Sequence, residues 1–342
     1  QLTGSPVEIQ PSFNPMIGPS PYVLINMGAR YTPCMHSVEG LQTRITGGEI
    51  NWPCPNTTSN DIANCQLNNL CGFDMPASQN PVYPGQNIPL NQFPNQPNQW
   101  FRFIIPIFLH AGLVHIGFNM LLQMTLGKEM EVAIGPIRFI LVYMCSGIFG
   151  FVLGGNFAAS GIASTGASGA LFGILALNLL DLFYTWGERR NPMKDFAFIM
   201  LDIIISFVLG LLPGLDNFSH IGGFIMGLVL GICILHSPNA LRQRIDHGAP
   251  PYALRQRIDH GAPPYARVGK IKYNYDDRTA IGNTSFLSSP IDFLAGRRPA
   301  WWAWWLVRVG SLVFVFIVFI LLLKNFYTFR RSCSWCKYLS CI

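Results

Sequence analysis

Six apolar segments, each about long enough to cross a bilayer, constrain this chain more than any other feature of its sequence. Half of the 342 residues are hydrophobic and only 12% are charged, a poor composition for a water-soluble domain. We therefore predict an all-α polytopic membrane protein with five closely spaced helices and a sixth that follows a polar stretch. The segments lie at about residues 103–127, 137–155, 166–184, 196–212, 218–235 and 302–323.

The distribution of lysine and arginine predicts the orientation of these segments. The short loops 156–165 and 213–217 contain neither residue, whereas the alternate connections are basic. By the positive-inside rule, the N-terminal residues then lie outside the membrane. The regions expected are an exoplasmic or luminal disulfide-bearing segment, a five-helix membrane core, a cytosolic basic linker, an additional transmembrane helix and an exoplasmic tail with cysteines. They cover residues 1–99, 100–235, 236–301, 302–323 and 324–342.

The N-terminal segment (residues 1–99) contains an even number of cysteines in a loop-rich context, which predicts two disulfides and an oxidising compartment. Three pairings are possible. Zinc binding is the weaker alternative, because no Cys-x-x-Cys spacing occurs here and only His36 lies nearby. Asn56 begins an Asn-Thr-Thr sequence, a glycosylation acceptor that fits the same side of the membrane. The cysteines are Cys34, Cys54, Cys65 and Cys71.

The basic linker contains a perfect tandem duplication of 13 residues, at 241–253 and 254–266. Units this short cannot build a solenoid, so a tolerated insertion in a flexible tail is favoured. Its arginines could contact anionic lipid at the inner membrane surface. The net charge of +6 lies mostly in the inner loops and needs no nucleic-acid partner.

A small-residue motif, Gly166-Ala167-Ser168-Gly169, stands at the entrance of the third apolar segment. Two interpretations are open. Glycine, alanine and serine are common where membrane helices pack closely, so the motif could be a packing device. Alternatively, Ser168 is a nucleophile placed within the bilayer, and the polar residues of two other segments decide between these readings.

The first of these segments carries His115 and Asn119, which are four residues apart and therefore project from one helix face. Polar groups inside a bilayer are costly and are functional candidates by default. Two hydrogen-bond donors on one face suit the stabilisation of an oxyanion. The alternative is that both residues bond to neighbouring helices and hold the bundle together.

The fifth segment carries His220 one turn above a strip of glycines at positions 223, 227 and 231. Such a strip lets another helix approach closely. If it packs on the helix of Ser168, with Gly169 and Gly173 helping, His220 comes within hydrogen-bond reach of Ser168. That is the arrangement of nucleophile and general base that a hydrolase needs.

These residues, in this order on these helices, resemble the rhomboid family of intramembrane serine proteases. The resemblance covers about residues 100–235. Asn14-Pro15-Met16-Ile17-Gly18-Pro19-Ser20 and Gly28-Ala29-Arg30 also look like the first outer loop of the eukaryotic secretase-type members. The core motifs are Trp100-Phe101-Arg102, Leu109-His110-Ala111-Gly112, His115-x-x-x-Asn119, Gly127 with Glu131 and Gly135, Gly166-Ala167-Ser168-Gly169, and His220-x-Gly222-Gly223-x-x-x-Gly227-x-x-x-Gly231.

The resemblance implies a catalytic dyad of Ser168 as nucleophile and His220 as base, with no acidic third member, no cofactor and no metal. The oxyanion would be held by His115, Asn119 and the backbone N–H of Ser168. Phe172 would pack on the His220 ring. The remaining family positions imply structural roles: hydrogen bonding for His110 and Glu131, and close packing for Gly166, Gly169, Gly223 and Gly227.

The resemblance further implies a substrate with a single transmembrane helix, cut within or near its outer end so that an outer fragment is released. A multi-pass protein of the eukaryotic secretory pathway (Golgi or endosome) or of the plasma membrane is expected. In the family these motifs lie on the second, fourth and sixth helices, and here they lie on the first, third and fifth. We therefore expect the first core helix to be missing from an N-terminally truncated chain, and 302–323 to be the seventh span.

Two other classes of function are open. The first is a catalytically idle relative that binds membrane helices for trafficking or quality control, against which the intact Ser168 and His220 argue. The second is a transporter or channel in which His110, His115 and Asn119 line a polar path. No inverted repeat or pair of broken helices supports it.

Overall fold

The computed structural model describes residues 7–8, 14–38, 41, 51–55, 65–75, 97–210, 216–238, 241, 299–331 and 336. Asn56, nearly all of the tandem repeat and most of the basic linker lie outside these residues. The α-helices are α1 (Pro21–Asn26), α2 (Leu67–Cys71), α3 (Leu113–Leu122), α4 (Lys128–Ile134), α5 (Pro136–Phe157), α6 (Ser168–Tyr184), α7 (Pro192–Leu209), α8 (Asn217–Ile234) and α9 (Pro299–Lys324).

The predicted all-α membrane fold is confirmed. Among the described helices, α5, α8 and α9 with its π-helical extension (Pro299–Phe329) are long and apolar enough to cross a membrane. Helix α6 is apolar but has only 17 residues, and α7 carries Lys194, Asp195 and Asp202 within its 18 residues. The second to sixth predicted spans thus overlap helices α5 to α9, although these helices differ in length and polarity.

The first predicted span, 103–127, is wrong at its start. Residues Trp100–Phe103 and Ile105–Phe108 form two 3-10 turns, and the α-helix begins only at Leu113. From there α3, a π turn (Gln123–Gly127) and α4 follow one another without a break. Pro106 lacks the N–H that a continuous α-helix would need, and the apolar run before residue 113 forms 3-10 turns in its place.

The start of α3 is capped by the N-terminal segment. The N–H groups of Leu113 and Val114 donate to the carbonyls of Ile17 and Met16, at 3.1 and 3.2 Å. The Asn14 side chain donates to the Ala111 carbonyl at 3.2 Å. The first two bonds satisfy N–H donors that a helix start otherwise leaves free, and the third ties Asn14 to the turn before the helix.

Helices α5, α6 and α8 pack around a core in which α6 is the most enclosed. All residues of α6 from Gly169 to Leu177 are buried. Gly223 lies directly against the Gly169 carbonyl and Gly227 against the Gly173 carbonyl, with no room for a side chain at either position. The glycine strip of α8 therefore allows backbone-to-backbone approach to α6, as small residues do in membrane helix pairs.

The N-terminal segment is held by two disulfides and one arginine. Cys34 is bonded to Cys71 and Cys54 to Cys65, which is one of the three possible pairings. Arg102 is fully buried and binds four acceptors within 2.7 Å, while burial lowers its pKa to about 9. Its acceptors are the carbonyls of Ile25, Ala29 and Cys71 and the Oε1 of Gln99.

The chain divides into two compact units, residues 1–235 with 311–342, and residues 236–310. In the first unit, the part of α9 from Ser311 onward packs on α5, where Phe319 stacks on Phe149 at 6.2 Å. The π turn after α9 brings Phe326 against Phe103 and His36. In the second unit, the tryptophans at the start of α9 contact one another edge to face.

Candidate active site

Ser168 and His220 meet although they are 52 residues apart. The Ser168 hydroxyl lies 2.8 Å from Nε2 of His220. Ser168 is the first residue of α6 and is partly exposed, whereas His220 is buried in the first turn of α8. The distance allows the hydroxyl to donate its proton to a neutral imidazole.

The turn before Ser168 depends on Gly166. Its φ of +123° is a conformation that residues with a side chain rarely adopt. A Cβ at this position would lie 2.7 Å from Cε1 and Nε2 of His115. The N–H of Gly166 donates to the Pro106 carbonyl at 2.9 Å, which joins the turn to the segment before α3.

The His220 ring is held between aromatic side chains. Phe172, one turn along α6 from Ser168, stacks on it with 4.5 Å between ring centroids and 13° between planes. Phe207 of α7 meets the ring edge to face at 6.2 Å. The expected packing of Phe172 on His220 is thus what the structure shows, and the contact of Phe207 adds a second wall.

His115 and Asn119 are both buried on α3 beside the Gly166 turn. The N–H of Ala111 donates to Nδ1 of His115 at 3.3 Å. In the neutral ring this bond leaves the proton on Nε2, the atom that faces the Gly166 turn. The Asn119 amide donates to the His115 carbonyl at 3.0 Å, and its second hydrogen is left for another acceptor.

Two further residues of the predicted site, His110 and Glu131, lie in different surroundings. His110 precedes α3, and its ring meets that of His115 edge to face at 5.3 Å. Its Nε2 is buried without a partner in the described part of the chain. Glu131 is exposed on α4, and its side chain makes no hydrogen bond with a described residue. The structural role implied for Glu131 stays a prediction.

The structure adds an ion pair that sequence reasoning missed. Arg30 Nη2 lies 3.0 Å from Oδ2 of Asp216, and both side chains are buried. Asp216 caps α8 by accepting from the N–H groups of Phe218 and Ser219. The only sequence signals were an Asp at an N-cap position and an Arg in a family-like motif, and neither reveals the other. Within the described residues, no three His, Cys, Asp or Glu side chains are grouped as metal ligands.

A bundle of apolar helices that brings a serine hydroxyl onto a buried imidazole defines the class of this protein: an integral membrane protein with a candidate serine–histidine site. Residues 97–237 match the model of the rhomboid domain. The chain belongs to the rhomboid family, which confirms the resemblance drawn from the motifs.

Curated relatives include proteins with and without the word protease in their names. The chain is 54% identical over 349 residues to Rhomboid-type serine protease 2 of Emericella nidulans, covering 100% of this chain and 65% of that protein. It is 32% identical over 247 residues to RHOMBOID-like protein 4 of Arabidopsis thaliana, covering 72% and 52%. Inactive rhomboid protein 1 of Homo sapiens is 36% identical over 142 residues, covering 42% and 16%. The chain thus spans less than two thirds of each relative's length.

Proposed function

We propose that this protein is an intramembrane serine endopeptidase that cuts single-span membrane proteins with the dyad of Ser168 and His220. The observation that carries the proposal is the 2.8 Å contact between the Ser168 hydroxyl and Nε2 of His220 at the adjoining ends of α6 and α8. The relative of Emericella nidulans is named a serine protease, which supports the same reaction class.

In the proposed reaction, Nε2 of His220 takes the Ser168 proton as the hydroxyl oxygen attacks the scissile carbonyl. The imidazolium then gives that proton to the leaving amine, and the peptide bond breaks to leave an acyl-enzyme. A water molecule, activated by the same imidazole, hydrolyses the ester and restores the serine. The stacking of Phe172 keeps the imidazole ring in the plane that this exchange requires.

The tetrahedral intermediate carries a negative oxygen that needs donors. Ser168 begins α6, so its N–H has no acceptor within the helix. Nε2–H of His115 faces the same turn, and the Asn119 amide lies one helical turn further along α3. Donors of this kind typically contribute a few kcal/mol to the stabilisation of such intermediates.

The proposed substrate is a transmembrane helix that unwinds near its outer end. Unwinding is needed because a peptide bond that is still part of a helix cannot reach the Ser168 hydroxyl at the start of α6. Cleavage would release an outer fragment. The predicted orientation, the secretory or plasma-membrane location and the contact of the basic linker with anionic lipid belong to this proposal. The disulfides of the N-terminal segment support an oxidising side.

The test uses the full-length protein in proteoliposomes with a model single-span substrate, compared with Ser168→Ala. We expect cleavage by the wild type, none by the variant, and equal expression and substrate capture by both. Mass spectrometry of the released fragment would locate the cut. Labelling of Ser168 by a fluorophosphonate measures the nucleophile separately from peptide cleavage.

The match to an inactive rhomboid protein favours one second candidate, a protein that binds membrane helices without cutting them. Substrate capture without cleavage by both wild type and Ser168→Ala, together with no labelling of Ser168, would select this function. Cleavage that persists in Ser168→Ala would contradict the dyad itself.

A further inference from the structure

Arg30 touches the supports of both members of the dyad. Its backbone pairs with Ser164 in an antiparallel bridge, with N–H to carbonyl distances of 2.9 and 3.0 Å. Ser164 lies four residues before Ser168, in the loop that leads into α6. The Arg30 side chain donates to the carboxylate of Asp216, which lies four residues before His220. One residue of the N-terminal segment therefore connects the approach to the nucleophile with the approach to the base.

Asp216 holds the start of α8 through three short contacts. Oδ1 accepts from the N–H groups of Phe218 and Ser219 at 3.0 and 3.3 Å. Oδ2 accepts from the Ser219 hydroxyl at 2.7 Å and from Arg30. Gly154 of α5 lies against this carboxylate with no room for a side chain. A displacement of Asp216 would therefore shift the first turn of α8, on which His220 sits.

Burial makes this pair sensitive to the loss of either partner. The Arg30 and Asp216 side chains are 0% and 3% exposed. Removing one of two buried, paired charges leaves the other without compensation, and that charge must then find water or move. Any movement that brings water to Asp216 separates the start of α8 from α5 and from the Ser164 loop.

We propose that Arg30 is a positioning residue for the dyad, acting through Asp216 and Ser164 to set the distance between Ser168 and His220. The inference rests on the proposed function. It also gives the N-terminal segment a role in the chemistry. The stretch around Arg30 is held in place by the bond from Arg102 to the Ala29 carbonyl and by the Cys34–Cys71 disulfide.

The experiment compares Arg30→Met, Asp216→Asn and the double variant in the full-length protein. Arg30→Met keeps an unbranched apolar stem but removes the guanidinium group and so leaves the Asp216 carboxylate without its charged partner. We expect its kcat and its rate of Ser168 labelling to fall at least about tenfold, since a misplacement of 1 Å can cost roughly a hundredfold. KM should stay unchanged, because both side chains are buried and offer a substrate no surface to contact.

The double variant is the decisive arm. Asparagine still accepts hydrogen bonds at the α8 N-cap and carries no charge. We therefore expect Asp216→Asn to restore most of the kcat and labelling rate lost in Arg30→Met, while Asp216→Asn alone is impaired because it strands the Arg30 cation. Thermal unfolding is measured for all variants as the control. Midpoints far above the assay temperature would show that each protein is folded during the assay.

Arg102→Met is the matched control. Arg102 is equally buried, but its hydrogen bonds to described residues go to the Gln99 side chain and to the carbonyls of Ile25, Ala29 and Cys71. Asp216→Asn should not rescue it. Wild-type kcat in Arg30→Met, a rise in KM alone, or equal rescue of Arg102→Met would each overturn the inference.

The labelling arm keeps this inference separate from the proposed function. Wild-type labelling without cleavage, together with slower labelling of Arg30→Met, would refute the peptidase and support the positioning role. Ser168-dependent cleavage that Arg30→Met leaves unchanged would refute the positioning role alone. A folded wild type whose Ser168 is never labelled would refute both.

Discussion

At the scale of single residues, the candidate site depends on a few positions where the neighbouring atoms leave no space for a different side chain. Gly166 is the clearest, since its positive φ and the adjacent His115 ring both exclude a side chain. The same turn presents the Ser168 hydroxyl to His220. A backbone change here acts on nucleophile and oxyanion donors together.

Gly166→Ala should therefore cost about 1–3 kcal/mol of unfolding free energy and slow the labelling of Ser168. The added methyl group would push the His115 ring away from the turn. Gly161→Ala is the matched control in the same loop, because a Cβ there has open space. Equal labelling rates in the two variants would contradict this account of the turn.

His36 is a second residue with a defined consequence. Its Nδ1–H donates to the Ser37 carbonyl at 2.9 Å, and its ring packs on Phe326. Burial, with a smaller effect of the Arg330 cation, lowers the pKa of His36 from 6.5 to about 4. The folded protein therefore keeps this ring neutral where the unfolded chain binds a proton.

Acidification should then weaken the contact between the N-terminal segment and the end of α9. The stabilisation by the neutral ring is complete above about pH 6.5 and is lost as the pH falls towards 4. At pH 5 the loss of unfolding free energy reaches about 2 kcal/mol. Limited proteolysis of the N-terminal segment at pH 7 and pH 5 measures it. His36→Gln should remove that part of the pH dependence; an unchanged profile would exclude His36 as its source.

At the scale of elements, the pairing of α6 with α8 decides whether the site exists. Both helices are predominantly apolar, so hydrophobicity alone does not choose the face on which they meet. The contacts of Gly223 and Gly227 with the carbonyls of Gly169 and Gly173 set that face. The register of these four glycines places His220 at the level of Ser168.

Gly223→Ala should separate the helices, because its methyl group would overlap the Gly169 carbonyl. The expected cost is about 1–3 kcal/mol of unfolding free energy, as for other overpacked positions. Loss of Ser168 labelling should accompany it. Gly117→Ala on α3, where a Cβ meets nothing within 4 Å, should leave both quantities nearly unchanged. A Gly223→Ala protein with wild-type labelling would refute the register argument.

At the scale of the whole molecule, the described part of the N-terminal segment packs against the membrane core at several separate points. It caps α3 through Ile17 and Met16, pairs with the Ser164 loop through Arg30 and packs on the end of α9 through His36. Two disulfides cross-link this segment. Structural changes in this segment should therefore alter the positions of the residues at the candidate site.

Removing the Cys34–Cys71 disulfide should destabilise the protein more than removing Cys54–Cys65. The two bonds join residues 37 and 11 positions apart. Chain-entropy estimates give about 4 and about 3 kcal/mol, respectively. Unfolding of the paired Cys→Ser variants in a calibrated denaturant series measures the difference. The opposite order would show that loop closure does not govern the stability of this segment.

The sequence by itself determined the local properties of this protein. The apolar segments, the even set of cysteines, the spacing of His115 and Asn119 and the glycines of α8 follow from composition and helical period, which act over a few residues. These features predicted the membrane fold and a serine–histidine contact. They failed at the start of α3, where an apolar run containing Pro106 forms 3-10 turns.

Only the tertiary structure decided how distant residues pair. It selected one of three disulfide pairings, brought the Ser168 hydroxyl within 2.8 Å of His220, and joined Arg30 to Asp216 across 186 positions. Such pairs depend on the packing of α5, α6 and α8 and on the closure of long loops. No local pattern encodes those distances, since each partner satisfies the same local preferences whichever residue it finally meets.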